Sequence, residues 1–284
     1  MKKIVVSGAN GQLGSELRSL SGNYPDYEWF FADRTALSLD TITGLETQLQ
    51  ILKPDILINC AAYTAVDKAE IEQDLANTIN HLAVCVLAQY ADANQISFIH
   101  ISTDYVFDGS RDTPLSEDER TSPINVYGHT KLAGEQLAMK YNPNTIIIRT
   151  SWVYSEFGNN FVKTMMRLME ERDQICVVND QIGSPTYAAD LAQVLVTIVH
   201  YPIWKPGIYN YSNEGEVSWF EFAQAIQRIG KFDCQIQGVS TASYPTPAAR
   251  PAFSLLDKSK IKSTFGITIP YFEDSLQKCM TKLG

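Results

Sequence analysis

Tyr127 and Lys131 stand four positions apart in Tyr127-Gly128-His129-Thr130-Lys131. On a helix that spacing puts a phenol and an ammonium on one face, one turn apart. A cation beside a phenol stabilises the phenolate and lowers its pKa, which suits Tyr127 to proton transfer near neutrality. A second such pair, Tyr201 and Lys205, has Pro202 inside it and Pro206 after it. Proline excludes a helix there, so that copy is an internal control on what spacing alone is worth. A third reactive group is Thr103, in the strand end Ile101-Ser102-Thr103-Asp104-Tyr105. Hydroxyls at the carboxyl end of a parallel strand sit where ligands bind, and Thr103 can donate to a carbonyl oxygen as charge develops on it. Capping of the next loop by Ser102 and Thr103 is the structural alternative.

Proton transfer to a carbonyl needs a reductant, and the N-terminus offers a place for one. Ser7-Gly8-Ala9-Asn10-Gly11-Gln12-Leu13-Gly14 follows an apolar run and opens a helical pattern. Glycines at this spacing allow a tight turn, close approach to a diphosphate and close helix packing, with the helix N-terminus facing the anion. Gly8, Asn10, Gly11, Gln12 and Leu13 are the expected cofactor contacts; a plain strand-to-helix turn is the alternative. About 20 residues further on come Asp33 and Arg34, an acid for a ribose 2′-hydroxyl beside an arginine for a 2′-phosphate. NADPH is favoured and NADH stays possible. Asp40 could reach an adenine, with a solvent-exposed loop aspartate as the alternative. Ala61, Ala62 and Tyr63 follow a run that ends in small residues, where a cofactor can lie against the backbone.

These groups require a scaffold, and the chain spells one out. Apolar runs at Lys3–Ser7, Trp29–Phe31, Ile56–Asn59, Ser97–Ser102 and Thr145–Arg149 read as buried strands. Helical patterns at Gln12–Leu20, Leu45–Leu52, Gln73–Asn94 and Tyr127–Tyr141 separate them. Such alternation predicts an α/β fold of Rossmann type, a doubly wound parallel sheet, with a smaller C-terminal substrate lobe. Further strands at Cys176–Val178 and Gly207–Tyr211 flank a helix at Ala188–Val199. We expect a dinucleotide-binding domain over 1–150, with roughly 176–211 returning to the sheet, and a substrate lobe over 151–175 and 212–284. Tyr244-Pro245-Thr246-Pro247-Ala248-Ala249-Arg250-Pro251 must be an extended loop. Asn80 falls on the apolar stripe of its helix and needs a buried partner, such as a backbone group or a water near Lys131.

Composition narrows the classes. The 284 residues are 45% hydrophobic and 19% charged, the balance of a folded globule. Twenty-three basic against 32 acidic residues leave a net charge of −9, unsuited to nucleic acid. The five cysteines are odd in number and lack a C-x-x-C pair, so neither a disulfide framework nor a structural zinc site is expected, and the histidines His81, His129 and His200 form no ligand spacing. No run is long enough to span a bilayer, and the start lacks a signal peptide, so a cytoplasmic protein without a membrane partner is expected.

The glycine turn, the Ser-Thr-Asp strand end and Tyr-x-x-x-Lys together resemble the extended short-chain dehydrogenase/reductase family. More narrowly, Ser102 to Gly109, Arg149 to Tyr154, Asn160 to Lys163, Asp180 to Thr186 and Arg250-Pro251 are similar to the dTDP-4-dehydrorhamnose reductase family, and the match runs from Lys3 to about Leu276. The resemblance implies NAD(P)H-dependent reduction of the C4 keto group of dTDP-4-dehydro-β-L-rhamnose, the last step in making dTDP-L-rhamnose for cell-surface polysaccharide. It implies Tyr127 as proton donor, Lys131 on the nicotinamide ribose and Thr103 on the carbonyl. Asp104, Tyr105 and Trp152 would meet the deoxysugar, and Gln181 and Arg250 the thymidine diphosphate, as suits a guanidinium fork. Some members of the family are dimers bridged by Mg²⁺. Glu16 matches one of those carboxylates but Ala188-Ala189-Asp190 does not align with a second, so no metal is carried over, and monomer and homodimer both stay open.

Two other readings stand beside this one. A nucleotide-sugar epimerase or dehydratase shares the fold, although Tyr105 occupies the place of the base glutamate that resembling dehydratases carry. A non-catalytic dinucleotide-binding relative has no chemical need of Thr103, Tyr127 and Lys131 together.

Overall fold

A computed structural model describes residues 1–283. The chain opens with β1 (Lys2–Ser7), α1 (Gln12–Ser21), β2 (Tyr27–Ala32), α2 (Leu45–Leu52) and β3 (Ile56–Asn59). Two short helices, α3 (Val66–Ala69) and α4 (Gln73–Asn77), then a π-helical turn (Thr78–Leu82) and α5 (Ala83–Ala93), lead to β4 (Ser97–Thr103). Next come α6 (Val126–Tyr141), β5 (Ile146–Thr150), β6 (Val153–Tyr154), α7 (Phe161–Glu171), β7 (Gln174–Val178), β8 (Ile182–Gly183) and β9 (Thr186–Tyr187). The remainder is α8 (Ala188–His200), β10 (Gly207–Tyr211), β11 (Val217–Ser218), α9 (Trp219–Gly230), β12 (Gln235–Val239), α10 (Ser259–Phe265) and α11 (Phe272–Leu283).

Six strands form one parallel sheet in the order β10-β5-β4-β3-β1-β2. The chain winds from β1 to β2 on one side and from β3 onward on the other. The carboxyl ends of β1 and β3 therefore flank the crevice where the winding reverses, the place at which such sheets bind ligands. Side chains alternate across the strands, so Ile4 and Val6 meet Leu17 of α1 and Leu191 of α8, while Val5 and Leu57 meet Leu49 of α2 and Leu87 of α5. Arg149 of β5 and Glu135 of α6, both buried, form a two-pronged pair (Nε to Oε1 3.0 Å, Nη2 to Oε2 2.7 Å) that fixes the helix bearing Tyr127 to the sheet. A separate core gathers Met165 of α7, Phe222 and Ile226 of α9, and Leu276 of α11. A capping box, Ser218 with Glu221, starts α9.

Two sequence expectations change. The helix expected over Gln73–Asn94 is interrupted by the π-helical turn around Asn80. Its partner α6 passes so close there that a Cβ on Gly134 would collide with the Asn80 carbonyl. The strand expected at Cys176–Val178 forms but pairs with β12, outside the six-stranded sheet. Its residues alternate between exposed and buried, a one-faced strand, whereas β3 and β5 are buried throughout. Of the stretch 176–211, α8 and β10 are the parts that lie on the large sheet. No helix among the described residues is long and apolar enough to cross a membrane.

Candidate active site

The turn after β1 is built by exclusion of side chains. Gly8 has φ +68°, and a Cβ there would lie 2.7 Å from the Ala61 nitrogen, against the backbone that follows β3. A Cβ on Gly14 would run into the Gly8 carbonyl. Gly11 is the N-cap of α1 and offers no side-chain oxygen, so the first amides of the helix lack a side-chain cap and suit an anion. Gln12 ties this turn to β6 and to the chain after it: its Nε2 donates to the Val153 carbonyl (3.3 Å) and its Oε1 accepts from Asn160 Nδ2 (2.9 Å).

A cleft of about 870 Å³ runs from this turn across the sheet's carboxyl edge. Gly8, Asn10, Gly11, Gln12 and Leu13 line one wall with Ala61 and Ala62. Asp33, Arg34 and Asp40 border one end. Asp33 Oδ1 accepts from the Thr35 and Ala36 amides (2.9 and 3.1 Å), while Arg34 stands 85% exposed, 3.8 Å from Asp40. Thr103, Asp104, Tyr105, Tyr127, Lys131 and Trp152 line the other end. The residues around the turn thus form a cradle of backbone and small side chains that fits a dinucleotide diphosphate.

Around the reacting end the side chains hold one another. Thr103 Oγ1 donates to Asp104 Oδ1 (3.0 Å) and accepts from the Tyr105 amide (3.2 Å), so it caps the following turn and borders the cleft at once. The Tyr105 and Tyr127 rings meet edge to face, centroids 5.8 Å apart. Lys131 is 1% exposed; its Nζ donates to the Ile101 carbonyl (2.6 Å) and lies 3.4 Å from His100 Nε2. His100 in turn meets Asn59, whose Oδ1 accepts from Ser7 Oγ, a fully buried polar chain under the site.

Electrostatics correct the expectation for Tyr127. Burial pushes its phenol up to about 12, with the Thr103 hydroxyl opposing and Asp104 adding to the rise. Burial lowers Lys131 to about 8, partly offset by Glu135 and Cys60. The ammonium is aimed at the Ile101 carbonyl, and desolvation outweighs any help it lends the phenolate. Burial also raises Asp104 to about 6.

Three expected contacts lie outside the cleft lining. Tyr63 directs its hydroxyl to Glu72 (2.7 Å), while its backbone is clamped by Asn80, which accepts from its amide (2.8 Å) and donates to its carbonyl (3.0 Å). Asn80 thus finds a backbone partner, and its Nδ2 also donates to Thr130 Oγ1 (3.2 Å), the residue before Lys131. Gln181 donates to Thr241 Oγ1 (3.0 Å), and Arg250 is paired with Asp67. Glu16 is turned inward, accepting from Ser155 Oγ (2.6 Å), and burial and its neighbour Glu156 raise it to about 7. Sequence reasoning missed Trp219, which borders the cleft and stacks on Trp152 with centroids 3.7 Å apart. It is the first residue of α9 and reads as part of an apolar helical stripe. Trp152 itself sits at φ +48°, and a Cβ on Gly183 would lie 3.0 Å from its ring, so β8 is shaped to seat it.

The family model described as the RmlD substrate binding domain matches residues 1–284. The chain is 42% identical over 277 residues to the dTDP-4-dehydrorhamnose reductase of Aggregatibacter actinomycetemcomitans, with 94% of each chain covered. A dTDP-4-dehydrorhamnose reductase structure from Clostridium acetobutylicum superposes with TM-score 0.95 at 37% identity, covering 99% of both chains. Another, from Bacillus anthracis in complex with NADP, gives TM-score 0.93 at 39% identity, again over 99% of each. A glycine turn at a parallel-sheet crevice, a Tyr–Lys pair on the adjoining helix and full-length similarity place this chain in the dTDP-4-dehydrorhamnose reductase family.

Proposed function

We propose that this chain reduces the C4 keto group of dTDP-4-dehydro-β-L-rhamnose to give dTDP-L-rhamnose, with NADPH as the reductant. One observation carries the reading: a single cleft holds the diphosphate cradle at one end and Tyr127, Lys131 and Thr103 at the other. The nicotinamide, when bound, supplies a hydride to the carbonyl carbon. Gly8, Gly11 and the first turn of α1 hold its diphosphate, and exposed Arg34 suits a 2′-phosphate.

Tyr127 protonates the oxygen at C4. A phenol at about 12 is protonated at neutral pH, so the site starts in the state that reduction requires. Thr103 donates to the same oxygen once its proton turns away from Asp104. Lys131, at about 8, remains mainly charged at pH 7 and holds the ribose hydroxyls beside Tyr127. Trp152, backed by Trp219, and Tyr105 frame the deoxysugar, with Asp104 accepting from a sugar hydroxyl. Tyr105 brings no carboxylate base, which favours simple reduction over elimination.

The test is oxidation of NADPH, with NADH in parallel, by purified protein supplied with the 4-keto nucleotide sugar. Wild type is expected to oxidise one NADPH per sugar reduced. Tyr127→Phe is expected to lose about 10²- to 10⁴-fold in turnover while still binding NADPH. Cofactor binding without oxidation by wild type would overturn the reading and favour an epimerase or a binding-only protein.

A further inference from the structure

Arg250 donates through Nη1 and Nη2 to the two carboxylate oxygens of Asp67, each at 2.7 Å, and Nη1 also donates to the Ala248 carbonyl at 2.7 Å. The same carboxylate accepts from the Ala248 amide at 3.2 Å. Asn125 holds the next residue of this loop, donating to the Ala249 carbonyl at 2.7 Å, and caps α6 by accepting from the Gly128 amide at 2.7 Å. The proline-rich loop is therefore tied to α3, which follows Ala61 and Ala62, and to the start of the helix bearing Tyr127. It bridges the cofactor wall and the reacting end.

The inventory of cations makes this pair consequential. Among the described residues that line the cleft, the only cations are Arg34, beside Asp33 and Asp40, and Lys131, buried beneath the site. A nucleotide-diphosphate sugar brings a dianionic group that needs a cation at the substrate end. Arg250 lies against the Tyr105 phenol at that end, yet its planar fork already carries a carboxylate. One fork cannot hold a carboxylate and a diphosphate in the same two-pronged geometry. Asp67 is 42% exposed, so its released carboxylate can be taken up by water.

We propose that Asp67 is a resident competitor for the substrate's diphosphate: it holds Arg250 in the free protein and yields it when a nucleoside diphosphate arrives. Asp67 then sets affinity for the diphosphate half of the substrate without touching the reacting carbonyl. This rests on the reading that a nucleotide sugar enters this cleft and that Arg250 receives its diphosphate.

The experiment compares Asp67→Asn, Asp67→Glu, Arg250→Gln and the Asp67→Asn/Arg250→Gln double variant with wild type. It measures KM for the nucleotide sugar, turnover at saturation, and inhibition by dTDP and by thymidine, which lacks the diphosphate. Asp67→Asn should lower KM and strengthen dTDP inhibition by about threefold to fivefold, with turnover and thymidine inhibition unchanged. Asp67→Glu, which keeps the charge, should show no such gain. Arg250→Gln should raise KM, and the gain from Asp67→Asn should vanish in its background. A KM that is unchanged or higher in Asp67→Asn overturns the proposal and leaves Asp67 as a brace for the loop. An Arg250→Gln protein with wild-type KM overturns it too while leaving the reductase reading intact. Wild type that oxidises no NADPH would overturn that reading itself.

Discussion

The two ends of the cleft are built on different principles. At the cofactor end the contact surface is mostly backbone, shaped by what Gly8, Gly11 and Gly14 lack. At the substrate end it is side chains held by other side chains, Trp152 on Trp219 and Thr103 on Asp104, and beyond the lining Arg250 is held by Asp67 and Gln181 by Thr241. A diphosphate is common to every dinucleotide and can be met by a rigid cradle. A particular sugar nucleotide calls for side chains set at fixed positions, and those positions are held here by neighbouring side chains.

If this contrast is right, one substitution at each end should damage one ligand and spare the other. The largest effect is expected at Gly8→Val, whose added atoms meet the backbone of Cys60 and Ala61 and cannot be relieved by a rotamer change. NADPH affinity, followed by nicotinamide fluorescence, should fall at least about 100-fold, the scale expected when a rigid cradle is blocked. Retained affinity would show that the turn can shift and that the cradle is not rigid.

Trp219→Ala sharpens the comparison from the other side. It removes the stacked support of Trp152, a residue already in the left-handed region. KM for the nucleotide sugar should rise about tenfold, in line with the loss of an aromatic pair, while the dissociation constant of NADPH stays unchanged. An equal loss in both constants would mean that the two ends are not separable.

The smallest effect concerns stability where the ends meet. Burial lowers Lys131 from 10.5 to about 8, so between those values the unfolded chain binds a proton that the folded chain does not. Stability contributed by this site therefore rises as pH climbs from about 8 to 10.5, and the burden of the buried ammonium is fully present below 8. Lys131→Met should raise the Tm at pH 7 while abolishing turnover, and its advantage should shrink towards pH 10.5. A lower Tm at pH 7 would show that the bond from Nζ to the Ile101 carbonyl outweighs desolvation.

The same contrast explains what could be read in the residues. The cofactor end is local: strand, glycine turn and helix lie within Lys2–Ser21, and each choice along that stretch has a reason within a few positions. Tyr127 and Lys131 were legible for the same reason, one helical turn with a proline-interrupted copy as control. The substrate end is assembled across the chain. Arg250 and Asp67 are 183 positions apart and Gln12 and Asn160 are 148 apart, so nothing in either neighbourhood announces its partner. Trp219 reads as one more apolar residue of an amphipathic helix, and β7 reads as a strand without revealing that β12 is its neighbour.

The amino-acid sequence by itself determined the parallel sheet, the glycine turn and the Tyr–Lys pair on one helix. Periodicity and steric allowance act over a few residues, and the chain order carries them. Only the tertiary structure decided the charge states and the pairings. The Tyr127 phenol rises and the Lys131 ammonium weakens because both are removed from water by elements far away in the chain. Arg250 faces Asp67 because the proline-rich loop folds back on α3. Desolvation and ion pairing depend on what surrounds a group in three dimensions, and that is settled only when the whole chain has packed.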